Sequence, residues 1–281
     1  MRTFFIALLI CFALNGNAQV QNPDEPKRYT GLQSLRLGSV EYKLFHSLFT
    51  TKKFDGFEHL NSRSSFYNAF SQLLLGIKSD FAVGFDLVYH SRIENDFYKN
   101  SPFSTLQFRT EKGFVFNPEQ QDSLQNSDGD LMERNAIHGI SYLGPKVRFK
   151  PFKKWKNFAI QKTFYIPLNR ELEPNWVSFT QLFYEHYFTS EWHLFSEVSL
   201  WARFGNGFNP SFFAKGFLNY FPGNKWTFYL TTTNLFEYGG GFKYLITPNF
   251  EVEVLSTAFI PLPQFGGSRN STFNIGVRWS R

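Results

Sequence analysis

Hydrophobic and polar positions alternate with a period of two along many short stretches of this chain. In "SDFAVGFDLVYHSR", apolar residues occupy every second position from Phe81 to Tyr89, and small or polar residues, Asp86 among them, lie between. In "FEVEVLSTAF", two glutamates alternate with valines. This period predicts β-strands. Charged groups directly between lipid-type residues favour strands with one face in lipid and the other toward water over a packed soluble core.

The alternation predicts an all-β fold, a transmembrane antiparallel up-and-down β-barrel of about 12 strands. An even number of strands is typical of bacterial single-chain barrels. The predicted strands lie near residues 37–51, 62–77, 81–95, 136–151, 156–167, 176–188, 192–204, 210–221, 225–233, 238–246, 249–260 and 270–279.

Short and longer links alternate between the predicted strands. Short polar links follow residues 77, 150, 188, 221 and 246, whereas the intervening links are mostly longer and one runs through 96–135. Outer-membrane barrels have short periplasmic turns and longer extracellular loops, whereas a soluble β-sandwich has no reason for this asymmetry. We therefore expect both chain ends on the periplasmic side and a long extracellular loop at 96–135. This loop could fold inward as a constriction or lie outside as a lid.

The start of the chain has the layout of a secretory signal peptide. Arg2 precedes an apolar run of eleven residues from Phe4 to Leu14, and small or polar residues follow up to Ala18. A bilayer-spanning helix needs about 20 apolar residues. The sequence therefore predicts a cleaved signal peptide at 1–18, a periplasmic N-terminal segment at 19–36 and the barrel at 37–281. Cys11 is the one cysteine, so the exported chain is expected to lack disulfides.

Composition changes this picture in two ways. Aromatic residues make up 20% of the chain, 37 of its residues are Phe, and the mean hydropathy is nevertheless −0.30. Strands with aromatic residues outside and polar residues inside reconcile these values. The formal charge of +6 is scattered over the strands rather than gathered on one element. That distribution argues against a nucleic-acid partner.

The last predicted strand, "STFNIGVRWS", carries an apolar face of Phe273, Ile275, Val277 and Trp279. A barrel closes by pairing its last strand with its first, so this strand must be complete. It resembles the C-terminal recognition strand by which outer-membrane barrels reach their assembly machinery. The resemblance implies localisation in the outer membrane of a Gram-negative bacterium, with outer-membrane lipids and the barrel assembly machinery as partners. We expect a monomer.

The whole chain after Ala18 resembles Gram-negative outer-membrane barrels. About half of it, centred on "ISYLGPKVRFKPFKKWKNFAIQKTFYIPLN", also resembles the barrel family named for a phenol-degradation pathway. The likeness rests on a G-x-x-x-x-G-P-K-x-R stretch from Gly139 to Arg148, although Ile140 stands where that family commonly has Asp. The resemblance implies a transporter or channel for small, often hydrophobic molecules.

Alternation also predicts which side chains line the lumen. Both signs of charge are represented, and basic groups are in excess. The groups could line a narrow aqueous path or pair across the lumen and close it. Lys146, Arg148 and Lys150 form a basic row on one strand, because their spacing is two. The candidates to face this row across the lumen are Glu197, Glu251 and Glu253, and we favour the open path. The predicted lumen-lining residues are Asp86, His90, Lys146, Arg148, Lys150, Glu197, Arg203, Lys215, Lys243, Glu251, Glu253 and Arg278.

Catalytic chemistry finds little support in the sequence. A cooperating His and Ser on one face of a strand need a spacing of two, and no His has a Ser two residues later. "NSDGDLMER" has turn-forming residues but not the spacing of a calcium loop. We predict no catalytic residues, no metal ligands and no cofactor. The predicted function is a passive channel or transporter for a small solute; the alternatives are a non-transporting structural or docking barrel of a surface assembly and, less favoured, a lipid-modifying enzyme.

Overall fold

The computed structural model describes residues 37–55, 59–96, 120–125, 131–152, 157–170, 172–205, 207–260 and 269–281. The signal peptide predicted at 1–18 and the periplasmic segment predicted at 19–36 lie outside the described residues, as does most of the loop predicted at 96–135. Among the described residues, no helix combines the length and the apolar character needed to cross a bilayer.

Thirteen β-strands make up the described regular structure. In the twelve-strand barrel, every pair of neighbouring strands is antiparallel, as the up-and-down prediction requires. The strands are β1 (Val40–Asp55), β2 (His59–Lys78), β3 (Phe81–Asp96), β4 (Gln120–Gln125), β5 (Leu131–Phe149), β6 (Phe158–Pro167), β7 (Trp176–Tyr187), β8 (Trp192–Gly205), β9 (Gly207–Tyr220), β10 (Trp226–Thr233), β11 (Glu237–Thr247), β12 (Phe250–Phe259) and β13 (Arg269–Ser280).

All strands except β4 form one closed ring. β13 pairs with β1 from Arg269 to Ser280, and β3 pairs with β5. At the seam, Val40 and Arg281 exchange two backbone hydrogen bonds of 2.8 Å each. Closure leaves the ring without an unpaired edge. The predicted fold class, a barrel of about 12 antiparallel strands, is confirmed.

Two features of the links differ from the sequence prediction. Inside the segment predicted as one long loop, β4 pairs with 131–136, the part of β5 that extends beyond β3. The β1–β2 ladder continues to Asp55 opposite His59, and the β8–β9 ladder to Gly205 opposite Gly207. These two links are therefore shorter than predicted. Backbone pairing needs no apolar alternation, so a ladder can continue into water where the lipid-facing pattern has ended.

The outward face of the ring is apolar and has aromatic residues near both ends. Trp192, Trp226 and Trp279 lie at the short-turn end, and each is about 40% exposed. Trp176 and Phe204 occupy the opposite end. Aromatic girdles of this kind flank the apolar band of outer-membrane barrels at the two lipid interfaces. The outward-facing side chains thus contact lipid, and the alternate residues of each strand fill or line the interior.

Candidate functional site

A cavity of about 920 Å³ lies inside the barrel. Its lining runs from Asn224 and Lys225, beside the β9–β10 turn, to Glu237 and Phe259 at the other end of the strands. Ten phenylalanines, six basic residues and four acidic residues are among the described lining residues. The cavity wall is therefore both aromatic and charged.

Seven of the twelve predicted lumen residues line this cavity: Arg148, Glu197, Lys215, Lys243, Glu251, Glu253 and Arg278. Asp86 and Lys146 lie on the interior side but are fully enclosed, with side-chain exposures of 1% each. The remaining three sit near strand ends: His90 is half-buried and 3.6 Å from Glu173, Lys150 is half-buried, and Arg203 is exposed. Their predicted roles in function stay predictions.

The Asp86 carboxylate is the centre of a buried polar cluster. It forms an ion pair with Lys146 and accepts hydrogen bonds from the Tyr165 hydroxyl at 2.8 Å and from the Gln72 amide at 3.3 Å. The Lys146 ammonium lies 5.5 Å from the centroid of the Phe70 ring. A buried ion pair is tolerated when further hydrogen bonds satisfy its remaining valences. The Asp86 carboxylate meets that condition, whereas the Lys146 ammonium is held by the ion pair and by the Phe70 ring.

Arg148, the next interior residue of β5, reaches across the interior to β1. Its guanidinium lies 3.6 Å from Glu41, and its Nε donates a 2.8 Å hydrogen bond to Gln161. Glu41 also pairs with Lys43 at 3.0 Å. Sequence reasoning did not select Glu41 or Lys43. The alternation of "VEYKL" would have placed both on the lumen face, since valine, tyrosine and leucine occupy the positions between and around them.

A chain of amides connects Arg148 to Glu197 on β8. Gln161 accepts from Arg148 and donates to Gln181 at 2.6 Å, and Gln181 donates to Glu197 at 2.8 Å. These three strands, β6, β7 and β8, are neighbours in the ring. Glu197 is therefore coupled to the basic row through two glutamines rather than by direct contact.

Glu251 and Glu253, two of the three candidates to face the basic row of β5, form ion pairs with other residues. Glu251 pairs with Arg278 at 3.2 Å, and Glu253 pairs with Lys243 at 3.4 Å while accepting a 2.5 Å hydrogen bond from Tyr229. Both ion pairs join residues directly opposite each other on adjacent strands. Cross-strand neighbours have Cβ atoms only about 5 Å apart, so they meet before groups on the far wall can.

The interior divides into a packed side and an open side. On the packed side, Tyr142, Tyr165 and Val177 form one buried cluster, and Ala82 and Ala159 belong to a second. The cavity is lined mostly by the other strands, from β8 through β13 to β1, and the rest of its lining comes from β2, β5, β6 and β7, including Tyr165 and Phe183 of the buried clusters. Because the packed side already fills its volume with side chains, any solute path inside the barrel has to run along the open side.

The interior histidines His90 and His193 contact acids, whereas His46 is hydrogen-bonded to the Tyr67 hydroxyl and His186 packs on the Phe188 ring. His193, on the interior face of β8, lies 3.6 Å from Glu185 and 3.2 Å from the Asn219 amide. The Tyr187 ring lies 4.4 Å from the His193 ring. Within the described ranges, no three His, Cys, Asp or Glu side chains are grouped as metal ligands.

Comparison with known proteins supports the fold. No protein-family model and no curated protein matches the chain. The COG4313 outer membrane channel from Pseudomonas putida F1 is similar in structure, with a TM-score of 0.53 and 10% identity over 90% of this chain and 98% of that chain. The Ralstonia pickettii toluene transporter TbuX gives a TM-score of 0.41 with 10% identity over 87% and 89% of the two chains. The autotransporter NalP translocator domain from Neisseria meningitidis gives 0.44 with 8% identity over 89% and 90%.

The chain therefore has the fold of an outer-membrane β-barrel, and the resemblance to such barrels that its sequence indicates is confirmed at the level of the fold. Since no family model matches, the narrower resemblance to the phenol-degradation family stays a prediction. At 10% identity, the likeness carries no information about individual residues.

Proposed function

We propose that this protein is a passive outer-membrane channel for small solutes and that it favours anions. The single observation that carries the proposal is the interior cavity, whose lining includes residues near both ends of the strands. Charged and amide side chains require water or partners, so a lining rich in them favours a wet lumen. A solute crossing the membrane would move along this lining.

The charge of the lining supports the preference for anions. Six basic side chains and four acidic side chains of the described lining face the same cavity. Two of the acids, Glu251 and Glu253, are neutralised by Arg278 and Lys243. Lys215 on β9 also lines the cavity and forms no ion pair with a described residue. Lys43 and Arg148 share a single acid, Glu41, so basic groups remain in excess when that acid is counted. An excess of basic groups along a lining makes a pore attractive to anions.

The dimensions of the cavity support a restriction to small solutes. If about 920 Å³ is spread over an apolar band about 25 Å tall, the mean cross-section is about 37 Å², or a radius of about 3.4 Å. A benzene-sized molecule fits such a section, whereas a folded peptide does not. Twelve strands also place this barrel between the filled small barrels and the wide porins.

A second candidate, a non-transporting barrel of a surface assembly, is favoured by the packed side of the interior. Tyr142, Val177 and Asp86 are each no more than 2% exposed there. A barrel that serves only as a scaffold gains stability from a filled interior. The cavity on the other side has no purpose in that candidate, so we place it second.

Conductance of the purified full-length barrel in planar bilayers tests the proposal. We expect discrete current steps in KCl. Under a KCl gradient, we expect a reversal potential whose sign indicates a preference for chloride. Absence of conductance by a correctly folded barrel, judged by its β-sheet circular dichroism and its heat-modifiable gel migration, would favour the scaffold. A preference for cations would leave a channel but contradict the assignment of the basic lining.

The proposal includes assembly as a monomer through the outer-membrane assembly machinery. Phe273, Ile275 and Trp279 project outward from β13 and are 37%, 47% and 39% exposed. An apolar strand face that remains accessible beside the closure seam suits recognition of the terminal strand before the barrel closes. Ring closure by β1 and β13 within a single chain supports the monomer, since no second chain is needed to complete the sheet.

A further inference from the structure

A row of aromatic rings crosses the interior wall over four adjacent strands. We call Phe183 on β7, Phe195 on β8, Phe217 on β9 and Tyr229 on β10 the aromatic belt. The centroids of successive rings are 5.7, 5.9 and 5.9 Å apart. These distances lie in the range of favourable aromatic pairs. The register produces the row, because Phe195 stands directly opposite Phe217 and the flanking rings are diagonal neighbours.

A cation lies over the ring at each end of the aromatic belt. The Arg148 guanidinium carbon is 5.6 Å from the centroid of Phe183, and the Lys243 ammonium is 5.6 Å from that of Tyr229. Cations at such positions are attracted by the electron-rich ring faces. The belt therefore combines apolar surface with positive charge at both of its ends.

A third cation lies beside the middle of the aromatic belt. Lys215 is two residues from Phe217 on the same face of β9, a distance of about 7 Å along the strand. It lines the cavity and stands opposite Glu197 and Thr233 without an ion pair to a described residue. The Glu197 carboxylate accepts a hydrogen bond from Gln181 on β7, and β7 lies on the opposite side of β8 from β9. The Lys215 ammonium is thus available to a ligand in the cavity.

Packing accounts more completely for the ends of the belt than for its middle, although Phe195 also packs against the buried cluster of Phe183. Phe183 is 7% exposed and belongs to the cluster of Ala82 and Ala159, and Tyr229 is 3% exposed. Phe195 and Phe217 instead remain half-buried and line the cavity. Two half-buried rings that line the cavity, with a cation on the same strand that has no ion pair to a described residue, form a surface that fits a flat apolar group carrying a negative charge.

We propose that the solute of this channel is a small aromatic carboxylate. Its ring would stack on Phe195 and Phe217, and its carboxylate would pair with Lys215. A neutral aromatic molecule would lack the ion pair, and a saturated carboxylate would lack the ring contact. This inference rests on the proposed channel function and deepens it by naming the class of solute.

Binding to the full-length barrel in detergent, measured by calorimetry, tests the inference independently of conductance. The probes are benzoate, its neutral analogue benzamide, and cyclohexanecarboxylate, which keeps the charge and replaces the aromatic ring. We expect benzoate to bind about threefold or more tightly than either of the other two. Equal affinities of benzoate and benzamide, or of the two carboxylates, would overturn the proposal.

Variants assign the two contributions to residues. Phe217→Leu should lower the affinity for benzoate to that for cyclohexanecarboxylate, whereas Lys215→Gln should weaken both carboxylates and leave benzamide unchanged. Phe228→Leu, which removes a ring on the outward face of β10, is the matched control and should change none of the three affinities. A Phe217→Leu barrel with wild-type affinity for benzoate would contradict the stacking.

Conductance measurements separate failure of the inference from failure of the channel proposal. Benzoate added to a conducting barrel should reduce the chloride current at concentrations where cyclohexanecarboxylate does not. A barrel that conducts chloride without distinguishing the two carboxylates would refute the inference alone. A barrel that binds benzoate selectively but never conducts would refute the channel and leave a ligand-binding barrel.

Discussion

Lys215→Gln should reduce anion preference without weakening the fold. The substitution removes one positive charge from the cavity wall and keeps nearly the same side-chain length. Lys215 has no ion pair with a described residue, and Glu197, which stands opposite it on β8, keeps its hydrogen bond from Gln181 after the substitution. Lys215 also lies on the open side of the interior, away from the buried clusters of β3, β5 and β6. The change therefore isolates the effect of one charge on the solute path.

The magnitude follows from the size of the cavity. With a mean radius of about 3.4 Å, an anion on the cavity axis would pass about 6 Å from the ammonium. At an effective dielectric constant of about 40, the attraction is about 1.4 kcal/mol before screening. A Debye length of about 10 Å at 0.1 M salt reduces it to about 0.8 kcal/mol, or about fourfold in local anion concentration. At 0.01 M salt the Debye length is about 30 Å, and the factor rises to about sevenfold.

Reversal potentials under KCl gradients measure this effect. The anion-to-cation permeability ratio of Lys215→Gln should be at least about fourfold lower than that of the wild type near 0.1 M salt, with a larger difference near 0.01 M. Lys162→Gln provides the matched control, because Lys162 is exposed on the outward face and donates hydrogen bonds to Ser178 and Thr180. Identical reversal potentials for the wild type and Lys215→Gln would show that this lysine does not face the conducting path. An equal shift of the reversal potential in Lys162→Gln would show that surface charge alone explains the effect.

Three further experiments test the packed interior, the faces and the topology. Arg148→Gln should lower the free energy of unfolding by about 2–3 kcal/mol. This is less than for an isolated buried pair, because Glu41 keeps its ion pair with Lys43. Denaturant unfolding in detergent measures the change, and an unchanged midpoint would mean that the pair contributes nothing. Val254→Arg, on the outward face near the middle of β12, should lower the free energy of unfolding by about 2–4 kcal/mol and reduce the folded fraction on gels. Leu255→Arg, in the cavity wall, should fold normally. Equal tolerance of the two changes would mean that the register is shifted by one residue. A membrane-impermeant maleimide should label Arg170→Cys on intact cells and Asn224→Cys only after lysis, and the reverse result would invert the barrel.

The strands could be predicted from sequence because lipid imposes a rule on every second residue. An outward-facing position in the apolar band disfavours charge, and this restriction recurs around the ring, although Lys162 on β6 is an exception. The pattern from Phe81 to Tyr89 shows it without any knowledge of neighbours. Where the chain leaves the lipid the rule ends, which is why β4 and the outer part of the β1–β2 ladder could not be predicted.

Interior partners could not be predicted because alternation gives a face but not a neighbour. Arg148 contacts Glu41, a residue more than one hundred positions earlier in the chain, and this contact depends on β1 lying two strands away from β3 in the ring. Glu251 and Glu253 lie on the predicted face but pair with residues outside the basic row. Register decides such pairs, since it places Arg278 and Lys243 directly across from them.

The two sides of the interior should respond to substitution in different ways. Side chains such as Tyr142, Asp86 and Lys146 have their polar groups satisfied by one another or by neighbouring strands, so changing them alters the free energy of unfolding. Lys215 and Phe217 line the cavity, so changing them alters what the cavity accepts. A ring of twelve strands encloses more volume than one wall of side chains can fill. Filling one side fully and leaving the other open gives a rigid wall against which a narrow path can keep its shape. Substitutions that affect solute choice without affecting stability are therefore expected on β8, β9 and β10, and substitutions with the opposite effect on β3, β5 and β6.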